Sequence, residues 1–329
     1  MQVTLDLYAL LFVIITTAIA AVYCVDSWRR HAKGYIIPLV LSVAAVYAVL
    51  LLINPGSAQF YTQLALGAGI AIIAAMLAAF YITRPILFLP VMALLIAASV
   101  LYALAYPGSM LFAGMFGIGT MFGLVYRGIV NRSSPPLKMA RKRKSTEVNR
   151  DLIHILLGII LVAALFSTGF SQATKIIFGL ILLGYIVNNI LSTNRLIGVY
   201  RKILPLERSN AVYGAGAMHL AAGTALLIGF IPNFNFVMFG IVALFFADPI
   251  ATIIGLHLGR ARLPFNREKT VAGSLAFFAV AAVLGFPFIG LYSISFGIIL
   301  AIIESLGGPI DDNIRIGVVT VLLYALLAL

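Results

Sequence analysis

Charge and sulfur are what this sequence has least of. Only 10% of its 329 residues are Asp, Glu, Lys or Arg, and only 10 are acidic, where soluble domains carry about a quarter charged residues. That scarcity excludes an ordinary water-facing globular surface. The single cysteine, Cys24, excludes an intramolecular disulfide and reads as a packed or lipid-facing small residue. No basic segment precedes the first apolar run, Leu7 to Val25, and no clear small-residue cleavage site follows it. The run therefore reads as a retained first span rather than a cleaved signal.

What is abundant is hydrocarbon. Apolar residues make up 63% of the chain and the mean hydropathy is +1.11. A spanning helix needs about 20 apolar residues, and the pattern predicts an all-α, polytopic transmembrane bundle of about twelve spans. Their approximate positions are 7–25, 35–53, 63–83, 85–105, 108–127, 152–168, 173–191, 212–230, 235–257, 271–286, 289–306 and 316–329. The connecting segments alternate in charge: 26–33, Arg84, 127–150, 192–210, 258–270 and 307–315 carry the ions, and those between them are neutral. Cationic loops belong on the cytoplasmic side, which puts both termini outside. Of 22 Lys and Arg, only Lys175 falls on the outer side. The net charge of +12 is thereby accounted for by topology. It points to a bilayer, anionic headgroups or a nucleotide, and not to nucleic acid.

Residues 131–149, with Pro135, Pro136 and the Arg141–Lys144 cluster, read as a basic cytoplasmic linker. It separates a region of five spans, 1–130, which carries no motif, from a seven-span region, 150–329, in which every polar cluster falls near the cytoplasmic face. Glu147, Arg150 and His154 open span six. Arg150 and His154 are i and i+4 and share a face, fit to hold a phosphate and orient a hydroxyl, or to serve as topogenic charge and a bundle hydrogen bond. Glu207 and Arg208 precede a small-residue helix containing His219. Asp248 lies inside an apolar run, where an ionisable group is costly and marks a functional site by default. Asp is a good helix cap and Pro a good first helical residue, so Asp248-Pro249 predicts a broken helix restarting at membrane depth. Such breaks occur where backbone lines a cavity or is buried.

Downstream, Gly255 and Gly259 either pack against a neighbour or admit a nucleotide to the backbone. Arg260, Arg262, Arg267 and Lys269 supply cations suited to phosphate. Thr270, Gly273 and Ser274 open the next helix, whose amides can bind an oxyanion. Glu304, Asp311, Asp312 and Asn313 cluster near the C-terminus, against the basic trend. They suit Mg²⁺, which takes carboxylate, water and phosphate oxygens, or else cap the adjoining helices. The parts together fit phosphoryl transfer, which proceeds by positioning and charge neutralisation.

These residues carry a resemblance. Glu147-x-x-Arg150-x-x-x-His154, Glu207-Arg208-Ser209, Ala247-Asp248-Pro249 with Gly255 and Gly259, Lys269-Thr270-x-x-Gly273-Ser274, and Glu304 with Asp311-Asp312-Asn313 occur in that order over about 180 residues. In this the second half resembles the CTP-dependent polyprenol kinase family, which includes dolichol kinases, phytol kinases and yeast-type diacylglycerol kinases. It is similar more distantly to phosphatidate cytidylyltransferases. The resemblance implies a kinase that uses CTP and Mg²⁺ to phosphorylate a long-chain alcohol. Lys269, Arg262 and Arg267 would hold the triphosphate, Glu304, Asp311 and Asp312 the metal, and Asp248 would be either a metal ligand or the base. Two positions depart from the family pattern. Asp151 follows Arg150 where Lys is common, and Asp248 has Ala and Pro as neighbours where Gly and a small residue are usual. Two other readings compete: a CDP-lipid synthase, and a transporter or scramblase in which Asp248 binds a coupling ion.

Overall fold

The computed structural model describes residues 58–80, 85–132, 144–191, 215–307 and 310–328. The first two expected spans, Cys24, most of the basic linker, and the Glu207-Arg208 segment lie outside the described residues. Among the described residues the chain is helical, with no β-strand. Ten helices follow one another: α1 (Ala58–Phe80), α2 (Pro85–Ala105), α3 (Leu111–Arg132), α4 (Lys144–Thr168), α5 (Phe170–Leu191), α6 (Ala215–Phe230), α7 (Phe234–Leu258), α8 (Val271–Ile289), α9 (Tyr292–Ser305) and α10 (Asp312–Ala328). Both ends of the expected linker are helical, because α3 runs on to Arg132 and α4 begins at Lys144.

Among the described residues, four helical stretches are long and apolar enough to cross a membrane: Glu147–Thr168, Phe170–Val187, Phe234–Leu258 and Val271–Ile289. Five shorter apolar helices accompany them. The chain divides into two compact units, Met1–Ser133 and Ser134–Leu329. In the first, α1 packs on α3 with almost no side-chain thickness between them. A Cβ at Gly123 would lie 2.7 Å from the Cβ of Ala78, and one at Gly67 3.0 Å from Met115. Small residues permit such close approach where apolar surroundings supply no hydrophobic drive to associate.

The second unit is built around α7, which is buried over 67% of its membrane-length window, against 22–28% for the other three. Its neighbours include α4, α6, α8 and α10. Helix α4 shows how the sequence divides its faces. Glu147, Asp151, His154, Gly158, Leu161 and Leu165 recur at three- and four-residue spacing and are buried, while Leu152, Leu156, Ile159 and Ile160 point outward, each about half exposed. Polar inside and apolar outside is the arrangement for a helix bathed in hydrocarbon.

The expected break at Asp248 does not occur. Ala247 (φ −67°, ψ −47°) and Asp248 (φ −64°, ψ −49°) are both helical, and the Asp248 side chain caps nothing. Instead α7 passes through one π-helical stretch, Ala243–Ala247, in which the Asp248 N–H donates to the Ala243 carbonyl. Pro249 explains it. Proline has no N–H to donate to the carbonyl four residues back, and its ring collides with that group. Widening the preceding turn relieves the collision without ending the helix. Helix α4 crosses α7 at this point through Gly158, where a Cβ would sit 2.6 Å from that of Phe245.

Candidate functional site

Helices α7, α8, α9 and α10 bring four charged side chains to one place. Asp248 comes from the middle of α7, Lys269 from the residue before the cap of α8, Glu304 from the last turn of α9, and Asp312 from the start of α10. Asp248, Glu304 and Asp312 each offer a carboxylate oxygen within 4.8 Å of the others. Lys269 Nζ donates to Glu304 Oε1 at very short range and to Asp312 Oδ2 at 2.5 Å. Arg315, one turn along α10, approaches the other Asp312 oxygen at 3.7 Å and ties α9 down by donating to the carbonyls of Ile303 (2.8 Å) and Leu306. Glu304 is almost fully buried, whereas Asp312 and Lys269 retain about a quarter of their side-chain surface. Asp248 is half-buried.

Burial alone would raise the Asp312 pKa, but the charges of Lys269 and Arg315 and the hydrogen bond from Lys269 outweigh it, and the carboxylate is held below its ordinary range. Burial would likewise lower Lys269, but Asp312, Asp248 and Glu304 outweigh it and hold the ammonium well above its ordinary value. Opposite charges at this range favour both charged forms.

The donor set fits a hard divalent cation. It is all oxygen and anionic, and Glu304 Oε2, though buried, has no hydrogen-bond partner among the described residues. A buried acceptor left unpaired is expensive, and an oxygen-preferring ion such as Mg²⁺ would satisfy it. Two expected ligands sit elsewhere. Asp311 Oδ1 accepts from the Asn313 backbone N–H (3.1 Å) and from Asn313 Nδ2 (2.9 Å), so it caps α10. Its other oxygen faces His219 Nδ1 at 3.6 Å. Capping geometry turns the Asp311 carboxylate away from the three-carboxylate cluster and engages Asn313 with it.

The glycines expected near the phosphates are occupied by packing. The Thr270 side chain caps α8, accepting from the Gly273 N–H at 3.1 Å. A Cβ would reach its Oγ1 at 2.9 Å from Gly255, at 2.5 Å from Gly259 and at 3.1 Å from Gly273. These three glycines seat the start of α8 against the end of α7. Ser274 Oγ meets Ser305 Oγ at 2.6 Å, joining α8 to α9. The cationic loop folds as a short hairpin, with Arg262 bridged to Thr270 and its Nη1 donating to the carbonyls of Arg267 and Glu268, both at 3.3 Å. Arg260, Arg262 and Arg267 are exposed.

On α4, the Arg150 Nε and Nη2 both donate to Asp151 Oδ1, at 3.2 and 3.1 Å. Arg150 and Asp151 lie within electrostatic reach of Asp248, and Asp151 within reach of Lys269. Asp151 is therefore a fourth carboxylate near the cluster, and it compensates the cation expected to hold phosphate. His154 is buried on the same stripe, within reach of Arg150 and Asp311. Arg208 lies outside the described residues.

Sequence reasoning missed Asn266, Ser305 and Arg315. Asn266 Nδ2 donates to the Ser305 carbonyl (3.0 Å) and its Oδ1 accepts from the Glu268 N–H (3.1 Å), pinning the loop to the end of α9. Only Arg315 carried a signal, since i+3 from Asp312 is a pairing distance on a helix.

No protein-family model matches this chain, and no solved structure matches it. It is similar to an uncharacterized protein of Methanocaldococcus jannaschii, with 29% identity over 170 residues, covering 51% of this chain and 87% of that one.

Proposed function

We propose that this chain is a membrane lipid kinase that transfers the γ-phosphate of CTP to the hydroxyl of a long-chain isoprenoid alcohol, a polyprenol such as dolichol or a shorter one such as phytol or geranylgeraniol. The observation that carries the reading is the meeting of Asp248, Glu304, Asp312 and Lys269 among helices whose outer faces are hydrocarbon. Three carboxylates and an ammonium are what phosphoryl transfer asks of a protein, and an apolar rim is what a lipid alcohol asks of one. The resemblance to CTP-dependent polyprenol kinases supplies the donor and the acceptor class.

In this reading 1–130 is an N-terminal five-span region to which no role is assigned, 131–149 a basic linker and 150–329 the catalytic region. About twelve spans cross the bilayer, both termini are outside, and the site faces the cytoplasm, where nucleotides are. Asp248, Glu304 and Asp312 hold Mg²⁺, which when bound neutralises phosphate charge. Lys269 contacts the phosphates as a point charge, and the exposed Arg260, Arg262 and Arg267 gather the triphosphate. The alcohol oxygen forms the new P–O bond as the bond between the γ-phosphorus and the bridging oxygen breaks, releasing CDP. The hydroxyl proton passes to a carboxylate of the cluster. His154, on the buried stripe of α4, and Arg150, beside it, orient the acceptor.

The test incubates purified protein in detergent with labelled CTP or ATP, Mg²⁺ and a panel of lipid alcohols and phosphatidate. Transfer of the γ-phosphate to an alcohol, abolished in Asp248→Asn and Lys269→Ala, is the expected result. Pyrophosphate release with a CMP-bearing lipid would establish the synthase instead, and full activity in Asp248→Asn would remove this site from the chemistry.

A further inference from the structure

The ammonium of Lys269 occupies the position a cation would take among the three carboxylates. Its Nζ bonds Glu304 and Asp312 at once, and the oxygens of those two and of Asp248 lie within 4.8 Å of one another. A volume that small admits one cation at a time. Either Nζ is in the cluster, or a divalent ion is.

We propose that Lys269 is a resident counter-ion which a divalent cation displaces, and that the displaced ammonium then becomes the phosphate contact. The inference rests on the kinase reading for the identity of the phosphate, but the exchange itself does not. Three features support it. Glu304 Oε2 is buried and unpaired beside the ammonium, so the lysine leaves the cluster incompletely satisfied, and an ion taking several oxygens would complete it. The lysine backbone is fixed independently of its side chain, because its carbonyl accepts from the Leu263 N–H and its N–H donates to the Asn266 carbonyl, both at 3.1 Å. Only the flexible stem need move, and that stem already keeps about a quarter of its surface accessible. Finally, the loop from which Lys269 projects bears Arg260, Arg262 and Arg267 on its exposed side, so an ammonium released from the cluster joins cations already in place.

The consequence is a coupling between two ligands. Without the divalent ion, Lys269 is neutralised by Glu304 and Asp312 and has little attraction left for phosphate. With it, the positive charge is released and the cationic surface is completed. Coupling of this sort is reciprocal, so phosphate that captures the ammonium holds the metal site open.

Two measurements on the full-length protein in detergent test the exchange without any appeal to catalysis. The first is Mn²⁺ binding by electron paramagnetic resonance. Lys269→Gln removes the competitor and should tighten Mn²⁺ roughly tenfold, within the usual range for coupled sites, and adding Asp312→Asn should reverse the gain. Unchanged or weaker binding in Lys269→Gln overturns the proposal. The second uses the unmodified chain, so it does not depend on a variant folding. Brief acetylation followed by mass spectrometry reads the reactivity of Lys269 against that of the exposed Lys175. Mg²⁺ should raise Lys269 labelling several-fold, and inorganic triphosphate added with Mg²⁺ should lower it again. Labelling that ignores Mg²⁺, or falls with it, overturns the proposal. If Mg²⁺ releases the lysine but no lipid alcohol is phosphorylated, the exchange stands and the kinase reading falls.

Discussion

Replacing Gly223 by alanine should destabilise the second unit and loosen the cluster, though Gly223 touches none of its charged groups. Helices α6 and α10 meet through Gly223 and Gly317. A Cβ at Gly223 would lie 2.5 Å from the Asn313 carbonyl oxygen and 3.2 Å from its carbon, while one at Gly317 would lie 2.9 Å from the Gly223 Cα. Those atoms belong to backbone, so no rotamer change can yield, and the first turn of α10 must move. Overpacking of this kind costs about 1–3 kcal/mol. The control is in the same helix. Gly216 has nothing within 4 Å of its would-be Cβ, and Gly→Ala in an open helical site stabilises by roughly 0.5–1 kcal/mol. The two variants should therefore shift stability in opposite directions and differ by about 1.5–4 kcal/mol, a separation of roughly 3 °C or more in the midpoint of thermal unfolding in detergent. Because Asp312 sits in the displaced turn, Gly223→Ala should also weaken Mn²⁺ binding, whereas Gly216→Ala should not. Equal unfolding midpoints would refute the close crossing.

Removing Arg150 as Arg150→Met strands the buried Asp151 carboxylate. A broken buried pair costs about 3–5 kcal/mol, and because Arg150 is one-third exposed solvent screening should bring the loss below that range, to about 2–3 kcal/mol. Arg150→Met/Asp151→Leu should recover most of it, and a single variant as stable as the double would refute the assignment. Unfolding midpoints measured against pH should show two shoulders. Asp312, lower in the folded state than its unfolded value of about 4, stabilises above that pH, and the gain is lost as pH falls through the folded value. Lys269, higher than its unfolded value of about 10.4, stabilises fully below that pH and progressively less above it. Asp312→Asn should flatten the acid shoulder and Lys269→Gln the alkaline one; retention of both slopes in the variants would assign them to other groups.

The elements of this chain were more legible than their meeting. Helices such as α4, α5 and α8 follow from uninterrupted apolar runs, but the face of α4 that turns inward carries Asp151 with Glu147 and His154, where the i, i+4 spacing of Arg150 and His154 suggests Arg150. The alternation of charged loops foreshadows Glu304 and Asp312 meeting the cationic loop that carries Lys269, whereas the reach of that cluster to Asp248 in the middle of α7 follows only from the fold. What could not be read was the rotation of each helix about its axis, on which every side-chain contact depends. Nothing in the Asp311-Asp312-Asn313 run distinguishes the carboxylate that caps α10 from the one that joins the cluster. Gly255 and Gly259 looked equally ready for a nucleotide or a neighbour, and it is the methyl and hydroxyl of Thr270 that lie beside them. The helix restart expected from Asp248 as cap and Pro249 as first residue does not form, because a wider turn accommodates the proline within a continuous helix.

That wider turn has a consequence for how the cluster is aimed. A π turn holds one residue more than an α turn, and each residue advances a helix by about 100° and 1.5 Å. Removing one residue from Ala243–Ala247 would therefore restore a regular helix, and everything after it, Asp248 and Gly255 included, would keep its angular position relative to the half of α7 that anchors it. Winding the same residues as regular α-helix would instead add one residue's rotation, about 100°. Asp248 would then face a different neighbour and Gly255 would lose its seat against Thr270. The wide turn absorbs the extra residue, and in doing so it keeps Asp248 on the side of the central helix where Glu304 and Asp312 meet it.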